Sequence, residues 1–196
     1  MAAEYLRAIQ MVQPEGPYFL GGYSFGGVVA FEMVQQLRRR GQEVALLVLL
    51  DSGGPEEGSA EQGTIFTHIK EYLYRLFARG CELYLRTGRS IPLPLRVPYH
   101  IGQSGRARRA YWPQIYPGRL VLLRAVENPR DPFKRWGGMG AEGLEIHEIP
   151  GNHDTMIREP LVQEVAAKLN QVLRRAQAAL MVMLLNAHAL FSLMPD

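Results

Sequence analysis

Cysteine is almost absent. Cys81 stands alone among 196 residues, which excludes an internal disulfide framework and a cysteine-based metal centre. That usage fits a reducing compartment, and a cytoplasmic location is expected. A secretory leader is not expected either, because MAAEYLRAIQ sets Glu4 and Arg7 on an amphipathic helical pattern. Neither sign of charge dominates: 22 Lys+Arg against 19 Asp+Glu leave +3. No basic stripe with interleaved aromatics accompanies that excess, so nucleic acid is not an expected partner. Arg38, Arg39 and Arg40 close a helical pattern, where cations complement the macrodipole. Internal repeats and low-complexity tracts are also missing. With 47% apolar and 21% charged residues, the composition is that of an ordinary globular chain, and its length fits one domain.

Charge is missing altogether from Ala176 to Pro195. A membrane span needs ~20 predominantly apolar residues, and Gln177, Asn186, His188 and Ser192 interrupt this stretch. The tail, residues 177–196, is therefore expected to pack on protein, a second copy of the chain included, and membrane association is not favoured.

Upstream of the tail, strand-like and helix-like patterns alternate. Residues 2–13 read as a helix stopped by Pro14 and Gly16. The run YFLGGY at 18–23 reads as a short buried strand. Val28, Phe31, Val34 and Leu37 give a helical period over 25–40, ended by Gly41. VALLVLL at 44–50 is an uninterrupted apolar run, the mark of a strand buried on both faces. After a loop at 52–63, the residues Ile65, Ile69, Tyr72, Leu73, Leu76 and Phe77 stripe a second long helix. Three prolines make 88–98 irregular, and 99–118 reads as a basic helix followed by a turn at Pro117-Gly118. RLVLLRAV at 119–126 and the alternating LEIHEI at 144–149 are two further strands. A last helix follows Pro160, with Leu161, Val165, Leu169, Val172 and Leu173 on its core face. Strands alternating with helices predict an α/β domain with a parallel sheet.

The sharpest motif is Gly22-Tyr23-Ser24-Phe25-Gly26. Its glycines suit a tight strand-to-helix turn, and a strand before it with a helix after it is the context a nucleophile elbow requires. Ser24 Oγ then faces solvent at the carboxyl end of the sheet, beside a helix N-terminus that favours negative charge. A serine hydroxyl needs a base. Of the five histidines, His153 lies in PGNHD directly after the last strand, which returns it to the same end of the sheet. His147 lies within that strand, His68 and His100 in helical segments, and His188 in the tail. For the group that orients the imidazole, Asp51 follows the buried run ending at Leu50. Asp131 follows the 119–126 strand and is a rival, as is Glu127, whereas Asp154 adjoins the ring it would have to reach. The order Ser, Asp, His fits an α/β-hydrolase.

The run GPYFLGGYSFGGVVAFEMVQQLRRRGQEVALLVLLDS resembles the thioesterase domains that end modular polyketide and nonribosomal peptide synthetases, and the related fatty acid synthase thioesterases. PGNHDTMIREP is similar to that family's PGxHxxM…P segment, and YPGRLVLLRAVENPRDPFKRW resembles it as well, Trp136 included. The likeness extends over roughly residues 3–175. It implies an α/β-hydrolase fold: a mostly parallel sheet with helices on both faces and a helical lid insertion. The domain would occupy residues 1–176, with the lid at about 60–98 and the apolar tail at 177–196. The family's earlier strands, and a glycine-containing loop that lends an oxyanion donor, would precede this sequence, which on that comparison is N-terminally truncated.

The resemblance assigns Ser24 as nucleophile, Asp51 as acid and His153 as base, and leaves Asp131 in a family loop. Phe25 N–H would serve the oxyanion hole. It implies release of an acyl or peptidyl chain from a phosphopantetheine carrier protein, by hydrolysis or cyclisation through an acyl-serine. The pantetheine comes on the partner, so no metal and no cofactor is expected. The arginines at 106–109 are either a docking patch for an acidic carrier or a solvated face. Two other readings stay open: a stand-alone serine esterase or lipase, and a catalytically impaired interaction module.

Overall fold

Runs of six or seven apolar residues with little interruption must be covered on both sides, and they decide the architecture. The computed structural model describes residues 1–54, 65–129, 131 and 133–191, without the side chains at 65–68, 70, 133, 134 and 187–191. These residues fall into two compact units, one combining Met1–Gly54 with Pro113–Asp196 and the other Pro55–Trp112.

In the first unit the strands are β1 (Tyr18–Tyr23), β2 (Val44–Leu50), β3 (Leu120–Ala125) and β4 (Leu144–Ile149). They hydrogen-bond in sequence order, every neighbouring pair parallel. α1 (Ala2–Val12) packs on α2 (Phe25–Arg39), which crosses from β1 to β2. α2 stops as its sequence demands. Gly41 has φ +73, its N–H donates to Arg38 O, and Gln42 N–H donates to Leu37 O. This paired closure satisfies two orphan carbonyls. The short α5 (Phe133–Trp136) lies between β3 and β4, and α6 (Val162–Phe191) follows β4.

Strand alternation divides the core between two helical layers. Leu46, Val48, Val121, Leu123, Ala125 and Ile149 face α6, where Val165 and Val172 are buried and Leu169 and Leu173 pack partly against them. The intervening residues Leu47, Leu49 and Leu120 are fully buried on the other face, as are Phe31, Val34 and Leu37 of α2. Trp136 joins that side, its ring 5.2 Å from Phe31 and its indole N–H donating to Ser52 O at 2.8 Å. The polar positions of β4 are also accounted for. Glu145 accepts from Arg175 of α6 and lies 2.6 Å from His147 Nε2.

The second unit holds α3 (Ile65–Arg86) and α4 (Leu93–Arg109). The sequence made 88–98 irregular, yet α4 begins at Leu93. Pro92 and Pro94 fall at its cap and first turn, where a missing N–H costs nothing, and only Pro98 lies inside it. Gly102 explains the close approach of the two helices, since a Cβ there would meet the Tyr74 ring at 1.9 Å. The Tyr74 hydroxyl donates to Tyr99 O at 2.9 Å. Arg109 is paired with Glu71 at 3.3 Å, so part of the basic cluster is engaged within this unit. An apolar pocket of about 380 Å³ is lined by Phe77, Cys81, Tyr84, Ile91, Pro92 and Leu95. Of the stripe read on this helix, Ile69, Tyr72, Leu73 and Leu76 are each more than half exposed, while Ala78 and Cys81 are buried. The Ile65 side chain, the loop at 55–63 and the last tail residues, 192–196, lie outside the described residues.

The tail is not a separate segment. α6 runs without a break from Val162 to Phe191, and Met181 to Leu185 are exposed along it. The sequence divided this helix because its core stripe and charges end near Ala176, but helix propensity continues through Ala, Leu and Met. No helix of the described residues is long and apolar enough to cross a membrane.

Burial raises the Glu145 carboxyl, but hydrogen bonds from Arg175 and His147 outweigh it and leave the group below 4.5. A carboxyl lowered on folding stabilises at pH above its unfolded value, and that contribution disappears as pH falls through the folded value. Glu145→Gln is therefore expected to cost ~0.5–1 kcal/mol at pH 7. The difference from wild type should close below pH 4.5. Paired urea titrations at the two pH values check this.

Candidate active site

β1 ends at Tyr23 and α2 starts at Phe25, leaving Ser24 alone to turn the chain. It does so at φ 56, ψ −123, a backbone conformation that costs a non-glycine residue of order ~1–3 kcal/mol and persists only where its surroundings hold it. Two glycines supply the room. A Cβ on Gly22 would meet the Gly26 carbonyl at 2.2 Å, and one on Gly27 would meet Ser52 at 2.5 Å. Gly26 itself faces open space. Ser24 precedes the helix at the cap position but makes no side-chain capping bond, so its hydroxyl is not spent on the backbone. Phe25 N–H opens α2 and belongs to the first turn, whose donors have no intrahelical acceptor.

The ladder between strands continues past their ends and aligns the loops. Ser24 N–H donates to Leu50 O at 2.9 Å, and Asp51 N–H donates to Leu123 O at 2.7 Å. Asp51, like Ser24, has positive φ, at 41°. Its carboxylate is 1% exposed and takes hydrogen bonds from three directions. Ala125 N–H donates to Oδ1 at 3.0 Å, and Asn128 Nδ2 lies 3.0 Å from each oxygen. The third partner is His153, whose Nδ1 lies 2.7 Å from Oδ2.

His153 rides on a loop with its own internal ties. Gly151 adopts φ +86, and the Asn152 side-chain carbonyl accepts from the N–H groups of Asp154 and Thr155, each at 3.1 Å. Met156 anchors the far end, fully buried. Glu127 is engaged here: its N–H donates to Gly151 O at 3.1 Å and its carboxylate accepts from Asn152 Nδ2 at 3.3 Å. The imidazole is 40% exposed, and its Nε2 is 3.0 Å from Ser24 Oγ. With Nδ1–H donating to Asp51, Nε2 carries the lone pair and accepts from the Ser24 hydroxyl. Such a relay can withdraw the serine proton as Oγ attacks an electrophilic carbon.

Three residues named from sequence thus meet: Ser24, Asp51 and His153. The carboxylate on the ring is that of Asp51, and Asp131 is exposed in the loop after β3. His147 pairs with Glu145 instead, and His100 stands edge-on to Tyr99 in the helical unit. The side chains of His68 and His188 lie outside the described residues. Sequence reasoning missed Asn128 and Tyr23. Asn128 follows a strand end three residues on, and nothing in that spacing signals a contact with residue 51. Tyr23 occupies the variable position of the elbow motif, yet its ring stacks on His153 at 4.7 Å and its hydroxyl bonds the His153 carbonyl.

The two outer glycines of the elbow differ in what they permit. Gly22→Ala is expected to lower stability by ~1–3 kcal/mol, the cost of forcing atoms into a filled space. Gly26→Ala should leave it unchanged or raise it by up to ~1 kcal/mol, because alanine favours the helix. Thermal unfolding of the two variants side by side gives the answer.

Comparison with known proteins places this geometry in a family. The family described as Thioesterase domain matches over residues 1–74. Chondramide synthase cmdD of Chondromyces crocatus is 33% identical over 202 residues, covering 84% of this chain and 5% of the synthase. Non-reducing polyketide synthase terA of Aspergillus terreus is 30% identical over 195 residues, covering 88% of this chain and 9% of that one. Among curated relatives the chain spans from 2% to 10% of the other protein's length. Among solved structures, the NocB thioesterase domain in covalent complex with a fluorophosphonate nocardicin G analog is 28% identical. Its TM-score is 0.60, over 90% of this chain and 73% of that one. The parallel sheet, the elbow and these relatives are all consistent with a thioesterase domain of the polyketide and nonribosomal peptide synthetase type, with an α/β-hydrolase fold.

Proposed function

We propose that this chain releases an acyl or peptidyl group from a phosphopantetheine thioester carried by a partner protein, through an ester on Ser24. One observation carries the reading: a single imidazole, that of His153, lies 3.0 Å from the Ser24 hydroxyl and 2.7 Å from a buried carboxylate. The synthases among the relatives support a tethered substrate, and the covalent complex of the NocB thioesterase domain with a fluorophosphonate supports a nucleophile in a domain of this fold.

In the first half-reaction Ser24 Oγ attacks the thioester carbonyl carbon while His153 Nε2 takes the hydroxyl proton. The oxygen of the tetrahedral intermediate accepts from Phe25 N–H at the start of α2, where a donor of this kind is worth ~10²–10³ in rate. Asp51 stabilises the imidazolium and keeps its ring oriented. Collapse breaks the carbon–sulfur bond. The pantetheine sulfur leaves with the proton from His153, and the acyl group stays on Ser24. In the second half-reaction His153 takes a proton from water, or from a hydroxyl or amine of the chain itself. Attack on the ester carbon breaks its bond to Ser24 Oγ, which takes the proton back from His153, and gives the free acid or the cyclised product. The chain supplies no metal or cofactor to this sequence of steps, since the thiol is the partner's.

A fluorophosphonate probe should label wild type at Ser24 and leave Ser24→Ala unmodified. His153→Ala should lower turnover of an S-acyl pantetheine thioester by ~10²–10⁴, the usual contribution of a general base. Folded protein that does not label would favour the interaction module. A strong preference for an oxygen ester of equal length would favour the stand-alone esterase.

A further inference from the structure

We infer that Tyr23 is a positioning residue for the His153 imidazole, gripping it through its ring face and its backbone carbonyl together. The inference rests on the reading of His153 as the base for Ser24. Tyr23 is the last residue of β1 and precedes the nucleophile. Its side chain packs with the α6-side core. The two rings lie 4.7 Å apart with planes 16° from parallel, and the Tyr23 hydroxyl donates to His153 O at 2.5 Å.

The base needs that support. Its ring is 40% exposed and stands on a loop. Asn152 sets the shape of the turn through the N–H groups of Asp154 and Thr155. Glu127 ties the loop to the segment after β3 through Gly151 and Asn152. Tyr23 joins the loop to the strand that carries Ser24, so it fixes the distance that matters for proton transfer. The stacked face hinders rotation of the imidazole, and the carbonyl bond holds the backbone from which the imidazole springs. Burial raises the phenol above the usual tyrosine range, Asp154 and Asp51 add to the effect, and Arg158 opposes it. The hydroxyl therefore stays a donor across the pH range of an assay.

Tyr23→Phe keeps the stacked ring and deletes the donor; Tyr23→Leu deletes both. Each is made in wild type and in His153→Ala. The readouts are the rate of Ser24 labelling by a fluorophosphonate, kcat and KM on an S-acyl pantetheine thioester, and the melting temperature. Tyr23→Phe is expected to lower kcat and the labelling rate about five- to tenfold, the range for one lost hydrogen bond, with KM unchanged. Tyr23→Leu should lower them further. In the His153→Ala background neither substitution should change the residual labelling rate, because a residue that acts through the imidazole has nothing left to position. Wild-type kcat in Tyr23→Phe would overturn the inference, as would an equal fractional loss with and without the imidazole. A His153→Ala protein that labels at the wild-type rate would instead remove the base assignment on which the inference stands.

Discussion

Everything at this site depends on four parallel strands whose hydrogen-bond ladder does not stop where the strands do. Ser24 N–H reaches Leu50 O, Asp51 N–H reaches Leu123 O, and Val126 N–H reaches Ile149 O. Glu127 N–H then reaches Gly151 O. The loops carrying the hydroxyl, the carboxylate and the imidazole therefore leave the sheet at one level. Residues separated by more than a hundred positions come within hydrogen-bond distance because the backbone has already aligned them. The sheet can hold that alignment because it is packed on both faces, by α2 and Trp136 on one side and by α6 on the other.

That rigidity carries two positive-φ residues. Ser24 and Asp51 both sit at φ values that side chains disfavour, each costing of order ~1–3 kcal/mol. In each case the cost has a visible outcome: the first points a hydroxyl away from the backbone bonds it would otherwise cap, and the second delivers a carboxylate to three donors in a buried setting. Trp136 contributes from outside, since its indole holds Ser52 O next to the acid. The result is a preorganised carboxylate–imidazole pair, Asp51 after β2 and His153 after β4, with the carboxylate buried and the ring 40% exposed.

Much of this is legible in the sequence. β1, α2 and β2 follow from YFLGGY, the three-residue period of Val28, Phe31, Val34 and Leu37, and the run VALLVLL, because each pattern has one dominant reading. The meeting of Ser24 with His153 was legible for the same reason: both directly follow strands of one parallel sheet. The choice between Asp51 and Asp131 was not. Asp51 directly follows β2, whereas Asp131 stands in the loop beyond the end of β3 at Ala125, and the course of that loop is not written in a strand or helix period. Tyr23 and Asn128 were hidden because their partners are long-range. The prolines conceal the start of α4, because their effect depends on their place in the first turn. The tail was divided from α6 because a change in amphipathic pattern is not a change in backbone conformation.

The pairing of one particular carboxylate with one particular ring nitrogen is the step on which the account turns, and proton NMR observes it directly. A proton held between His153 Nδ1 and Asp51 should resonate well downfield of the amide envelope in wild type. It should persist in Asp131→Asn and vanish in Asp51→Asn and in His153→Ala. A downfield signal that survives Asp51→Asn and is lost in Asp131→Asn would contradict the arrangement described for this chain.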